Sequence, residues 1–205
     1  MDEPKIKPEA AAERGLLRKT REIFEYLHNN RDVRLQIRAA PDKTLVYSGS
    51  FPRNGAWIRN GSQRTLHGKE MGGVWQHVLF QKEINPHWRD KEILPEVLDD
   101  IPVSTRGGTL LDWANELDEL KPWKDNGFLM WRALSGIFCA NAKGTVSFCI
   151  GSEVSKDDKV FAANEISVLL RNPEVDVTSK ELLRYYQRCL QTKQPALINI
   201  GFIAG

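Results

Sequence analysis

Cysteine is scarce in this chain: there are three in 205 residues, Cys139, Cys149 and Cys189. An odd, low count gives no disulfide framework. No Cys-x-x-Cys pair or Cys/His cluster carries zinc-ligand spacing, so free buried thiols in a reducing compartment are expected. Charge of one sign is also lacking. The net charge is +2, and the basic residues are scattered without a run that could track a phosphate backbone, which argues against nucleic acid as a partner. No apolar run approaches the roughly 18 residues of a membrane helix. The N-terminal MDEPKIKPEAAAERG is polar and lacks the apolar centre of a secretory signal. Familiar motifs are missing too. There is no Gly-x-Gly-x-x-Gly after a strand, no phosphate-binding Gly-x-x-x-x-Gly-Lys-Ser/Thr loop and no His-Glu-x-x-His. Gly-x-Ser-x-Gly is absent, so Ser48 beside Gly49 is not a nucleophile elbow.

What remains is an ordinary globular composition, 41% hydrophobic and 27% charged, long enough for one domain or two small lobes around a cleft. Residues 9–29 read as an amphipathic helix with Leu16, Leu17, Ile23, Phe24 and Leu27 on one stripe, ended by Asn29 and Asn30. Val33 to Ala39 alternates as a half-exposed strand does, and Thr44 to Tyr47 is a short strand delivering Ser48-Gly49-Ser50. Residues 51–63 read as a loop and 64–82 as a helix weakened by Gly68, Gly72 and Gly73. Prolines break 83–108, leaving room for one short helix. Thr109 caps a helix to Leu120, and residues 126–142 form the strongest helix, with Leu129, Ala133, Leu134, Ile137 and Phe138 on one face and Lys143-Gly144 closing it. Thr145 to Ile150 is a buried-type strand, Ile166 to Leu170 a second apolar run in strand position, 179–192 an amphipathic helix and Ala196 to Ile203 a final strand. The expectation is a mixed α+β or α/β molecule. An α-rich lobe (1–125) packs on a small, partly parallel α/β lobe (126–205), with a single site between them.

The richest stretch is Phe128 to Val175. Trp131 and Ser135 are four residues apart and share a helix face. Trp131 can stack on a planar cation, or simply belong to the core. Ser135 can bind a hydroxyl or phosphate oxygen, or bridge two helices. Glu165 lies between Ala-Ala-Asn and Ile-Ser-Val-Leu-Leu, where a carboxylate is costly unless paired or functional; a solvent-facing Glu is the plainer alternative. Tyr47 and Ser48 end a strand, where loops often line sites. His67 opens the Gly-rich segment and could move a proton or lie on the surface. An aromatic platform, a hydroxyl and one carboxylate together suit cleavage of a cationic N-glycosidic bond.

The order of these pieces resembles the ADP-ribosyl cyclase / NAD glycohydrolase family. In that family a strand ends in an aromatic and Ser, similar to Val46-Tyr47-Ser48-Gly49 with Tyr47 in place of the usual Trp. A Thr-Leu-Glu stretch then leads into a helix with a Gly; Thr65-Leu66-His67 and Gly72 are similar. Next comes an aromatic-Trp-x-x-x-Ser helix, matched by Trp131, Ser135 and Phe138. Last is an apolar strand with Gly-Ser and Phe-x-x-x-Glu, matched by Gly151-Ser152 and Phe161 to Glu165. The likeness covers roughly residues 44–175. It implies Glu165 as the catalytic carboxylate, helped by Trp131 and Ser135, with Tyr47, Ser48, His67, Phe161 and Arg64 toward the substrate NAD+. It implies no metal and no tightly bound cofactor. The family's animal members are secreted and disulfide-rich, whereas three cysteines set this chain in a reducing, cytoplasmic compartment, native or after delivery; because unregulated NAD+ depletion is toxic, a toxin, effector or immune domain with an inhibitor or immunity partner is the expected setting. His67 stands where the family carries a Glu that biases cyclisation against hydrolysis, and Glu70 lies one turn away. Gly49 replaces a basic residue, a role open to Arg53, Arg59 or Arg64. Two other readings stay open: a ribonuclease-type toxin using His67 or His77, and a non-catalytic interaction module whose aromatics are core.

Overall fold

The computed structural model describes residues 8–48, 51–53, 56–58, 64–66, 69–71, 78, 82, 86–119, 126–150 and 164–192. Helix α1 (Pro8–Asn29) is the first described element, and Asn30 separates it from α2 (Arg31–Gln36). Ile23 and Leu27 of α1 are buried as the stripe requires. The extended segment expected over Val33 to Ala39 is helical as far as Gln36. Its alternation is incomplete, because Leu35 is exposed while only Ile37 and Ala39 are buried. Helical geometry is fixed from outside: the Arg34 guanidinium donates to the Leu27 and His28 carbonyls at the end of α1, and the Asn141 amide donates to the Arg34 and Ile37 carbonyls.

Strand β1 (Thr44–Ser48) follows, then two antiparallel hairpins, β2 (Phe51–Arg53) with β3 (Ala56–Ile58), and β4 (Arg64–Leu66) with β5 (Lys69–Met71). These replace the loop expected over 51–63 and the start of the helix expected over 64–82. The Asn54-Gly55 pair between β2 and β3 is the usual composition of a two-residue hairpin, and the Gly-rich 64–73 segment has low helix propensity. Helix α3 (Leu94–Asp99) is the one short helix expected in the proline-broken stretch. Helix α4 (Leu110–Glu119) starts on a reciprocal cap. The Thr109 N–H donates to Asp112 Oδ2 at 2.8 Å, and the Asp112 N–H to Thr109 Oγ1 at 3.2 Å.

Helix α5 (Asn126–Ala140) leads to β6 (Val146–Ile150). Its buried face is turned from the expected one. Met130, Leu134, Phe138 and Cys139 are buried, whereas Leu129 is 47% exposed. The run expected as a strand is helix α6 (Ile166–Arg171), and α7 (Val177–Thr192) closes the described fold. An apolar run of five residues fits a strand and a buried helical turn equally well. Here Asn172 decides: its buried amide donates to the carbonyls of Cys139, Ala140 and Ala142 at 2.9–3.1 Å, tying the end of α6 to the end of α5. The strand expected over 196–203 lies outside the described residues.

Strands β1 and β6 pair in parallel, from Thr44 opposite Val146 to Ser48 opposite Ile150. The partners come from distant parts of the chain, as parallel strands need a crossover. Side chains alternate across the pair. Val46, Val146 and Phe148 enter the main core with Leu98, Leu134 and Tyr186, while Leu45 and Cys149 enter a smaller cluster with Val78, Trp88 and Ile93, against which Tyr47 packs. The result is a mixed α+β molecule whose one parallel pair, among the described residues, is covered on both faces.

Candidate active site

The carboxyl ends of parallel strands are where open α/β structures place their sites. Tyr47, the penultimate residue of β1, sits at such an end. Helix α5 brings Ser135, 2% exposed, to the same region, and the start of α6 brings Glu165, 9% exposed. The Ser135 hydroxyl donates to Glu165 Oε1 across 30 residues of sequence. A buried carboxylate gains most from such a charge-assisted bond, since burial alone penalises its charge.

Tyr47 and Cys139 complete the surroundings. The Tyr47 phenol is held well above its usual range by burial first, then by Glu165 and Glu96. Burial also pushes the Cys139 thiol up, Glu165 adds to this, and a hydrogen bond with Ser135 offsets part of it. Both groups therefore stay protonated near neutral pH. Trp131, one turn before Ser135, is partly buried against the main core. Its Nε1 is buried and has no hydrogen-bond partner among the described residues.

Of the residues picked from the sequence, Glu165, Ser135 and Tyr47 are thus brought together, and Trp131 shares the helix of Ser135. Ser48 and Arg64 are placed by backbone only, in β1 and β4, and His67 and Phe161 lie outside the described residues. Three neighbours escaped the reading of the sequence. Cys139 is four residues after Ser135 and was legible from helical spacing. Glu96 follows Pro95 at the start of α3 and accepts the Ile93 N–H at 3.0 Å, a capping signal rather than a site signal. Lys82, 8% exposed, binds Glu96 and gives no local signal at all.

A shallow groove of about 450 Å³ runs along the other flank of α5, past Leu129, Ala133, Gly136 and Ile137, to Asn164 and Val168. Its walls are mostly apolar and include neither Ser135 nor Glu165. No group of three or more His, Cys, Asp or Glu side chains is arranged to hold a metal ion among the described residues, and there no helix is long and apolar enough to cross a membrane. No protein-family model, curated protein or solved structure matches the chain.

Proposed function

We propose that the chain is an NAD+ glycohydrolase, with an ADP-ribosyl cyclase-like arrangement of its site. The observation that carries this reading is the buried Ser135–Glu165 hydrogen bond. It joins the two residues that the resemblance assigns to one site, beside a third, Tyr47. In the reaction the bond between ribose C1′ and the nicotinamide nitrogen breaks, and its electron pair neutralises the pyridinium ring. Glu165 faces the positive charge that develops on the ribose and accepts hydrogen bonds from its hydroxyls. Ser135 orients the carboxylate and contacts the ribose or its phosphate. Trp131 forms an aromatic wall for the cationic ring, an attraction of about 1–2 kcal/mol. Water adds to C1′ and loses a proton, giving ADP-ribose; capture by an adenine nitrogen would give cyclic ADP-ribose instead. Left unchecked, this turnover would drain NAD+ from a cytoplasm. That fits a toxin, effector or immune domain held in check by an inhibitor or immunity partner.

The test is direct. The protein is incubated with NAD+ at neutral pH, and nicotinamide, ADP-ribose and cyclic ADP-ribose are followed by liquid chromatography with mass detection. Glu165→Gln keeps an acceptor for the Ser135 hydroxyl and should keep the fold, yet lose at least about 100-fold in rate. A folded variant that turns over NAD+ at the wild-type rate, or a wild type that releases no nicotinamide, would sink the proposal.

A further inference from the structure

Glu165 reaches Ser135 from a backbone that the preceding side chain ties to α5. The Asn164 amide donates from Nδ2 to the Arg132 carbonyl of α5 at 2.7 Å. The Asn164 carbonyl in turn accepts the Ser167 hydroxyl at 2.9 Å. Asn164 is thus held by α5 on one side and by the first turn of α6 on the other. Glu165 follows directly, with helical backbone angles of φ −60° and ψ −45°, and its carboxylate accepts the Ser135 hydroxyl. Arg132 and Ser135 are three residues apart and neighbours on the helix surface. Two consecutive residues, Asn164 and Glu165, therefore grip two adjacent points of α5.

Gly136 makes room for this grip. In an α-helix the carbonyl of residue 132 faces the N–H of residue 136, so an amide donating to that carbonyl lies over residue 136. A Cβ at Gly136 would stand 3.0 Å from Asn164 Nδ2, closer than ordinary van der Waals contact, and the next atoms it would meet, at 3.9 Å, also belong to Asn164. Glycine inside a helix is otherwise less favourable than alanine. Gly136 and Asn164 both line the groove along α5, which includes neither Ser135 nor Glu165. The tie therefore acts on Glu165 through its backbone and not through the contacts of its carboxylate.

We propose that Asn164, seated over Gly136, is a positioning residue that sets the Glu165 carboxylate against Ser135. Removing the amide frees the backbone at the head of α6 from α5, and the carboxylate then loses its fixed distance to the hydroxyl. Adding a methyl at Gly136 pushes the amide off the Arg132 carbonyl and does the same to a smaller extent. The kinetic part of the consequence rests on the proposed glycohydrolase reading. The geometric part does not.

The experiment uses the full chain as wild type, Ser135→Ala, Asn164→Ala, Gly136→Ala and the double variants Asn164→Ala/Ser135→Ala and Asn164→Ala/Gly136→Ala, with circular dichroism to establish folding. The carboxyl carbon of Glu165 is followed by NMR at neutral pH in protein labelled at glutamate, its resonance assigned by its loss in Glu165→Gln. Ser135→Ala defines the displacement that follows loss of the hydroxyl. Asn164→Ala should displace the resonance in the same direction, and adding Ser135→Ala should then move it less than Ser135→Ala does alone. Gly136→Ala should give a smaller displacement of the same sign, and none in the Asn164→Ala background, where the amide it meets is gone. If NAD+ is hydrolysed, Asn164→Ala should lower kcat about 10-fold and change KM by less than about 2-fold, because Glu165 acts on charge that develops only in the transition state. A folded Asn164→Ala whose Glu165 resonance stays in place overturns the inference, however much stability it loses. So does a Gly136→Ala displacement of equal size in both backgrounds. Should Asn164→Ala fail to fold, Gly136→Ala decides, and an unmoved resonance overturns the inference. A wild type inactive on NAD+ defeats the proposed function but leaves the resonance to judge Asn164 on its own.

Discussion

Asn172 shows how one side chain fixes the site without touching it. It is 6% exposed, its amide serves three carbonyls at the end of α5, and its Oδ1 accepts the Glu174 N–H at 2.9 Å. Ser135 lies on α5 and Glu165 at the head of α6, so Asn172 locks the far ends of the two helices that present them. Asn172→Ala leaves buried carbonyls without a donor and should lower stability by about 1–3 kcal/mol, read from urea denaturation. A loss of only a few tenths would mean that water or backbone readily takes its place. Part of this was legible: Asn172-Pro173 reads as a stop, and α6 stops there. Its service to α5, some 30 residues earlier, has no local signature. The same holds for Lys82 and Glu96, whose meeting depends on how the segment carrying Lys82 packs on α3. Glu165 was legible because a carboxylate is out of keeping with its apolar neighbourhood, and Ser135 because it follows Trp131 by four residues on one helix face.

At the scale of elements, what the sequence makes plain is what local chemistry decides. Thr109 and Asp112 announce the start of α4, and the apolar runs at 44–47 and 145–150 become the strands β1 and β6, with Leu45, Val46, Val146, Phe148 and Cys149 buried. The failures fall where local preference is balanced. Residues 33–36 and 166–170 are short segments with no intrinsic bias, and both helices are tied to their neighbours by side chains: Arg34 of α2 donates to the end of α1, Asn141 donates to the carbonyls of Arg34 and Ile37, and Asn172 at the end of α6 donates to the end of α5. The start of α7 shows how such capping couples to pH. Asp176 accepts the Ser179 N–H at 2.7 Å and the Thr145 hydroxyl at 2.7 Å. Burial by itself would raise its carboxyl. The hydrogen bonds from Thr145 and Ser179, together with Lys180, outweigh that and bring it below the usual range. A depressed carboxyl contributes stability that is present above the unfolded-state value of about 3.9 and is lost as pH falls through the lower folded-state value. Asp176→Asn keeps an acceptor for Ser179 but carries no charge. Its stability deficit against wild type should be constant from pH 7 to about pH 5 and shrink below about pH 4. A deficit unchanged down to pH 2, in denaturation curves across that range, would assign the effect to packing instead of charge.

At the scale of the whole molecule, the parallel pair ties together parts of the chain that the sequence sets far apart. Each position of β1 from Thr44 to Ser48 is opposite one of β6 from Val146 to Ile150. The main core takes Ile23 and Leu27 from α1, Leu98 from α3, Trp113 from α4, Phe138 from α5 and Leu183 from α7. Residues 126–205 alone would therefore expose one edge of β6 and the inner faces of α5 and α7. Among the described residues that half keeps one strand with helices on one side, which is not a stable unit in water. Long-range pairing of this kind must also close a long loop before it is rewarded. Expressed separately, residues 1–125 and 126–205 should each lack a cooperative thermal transition. Mixed, they should recover one, because the lost terms are contacts and not chain connectivity. Under the proposed glycohydrolase reading a kinetic consequence follows from where Tyr47 and Glu165 lie, on opposite sides of that cut: neither half should turn over NAD+, and activity should return in proportion to the reconstituted complex. A cooperative melt from 126–205 by itself would show that β6 finds its partner within the second half and would break the link between this core and the site.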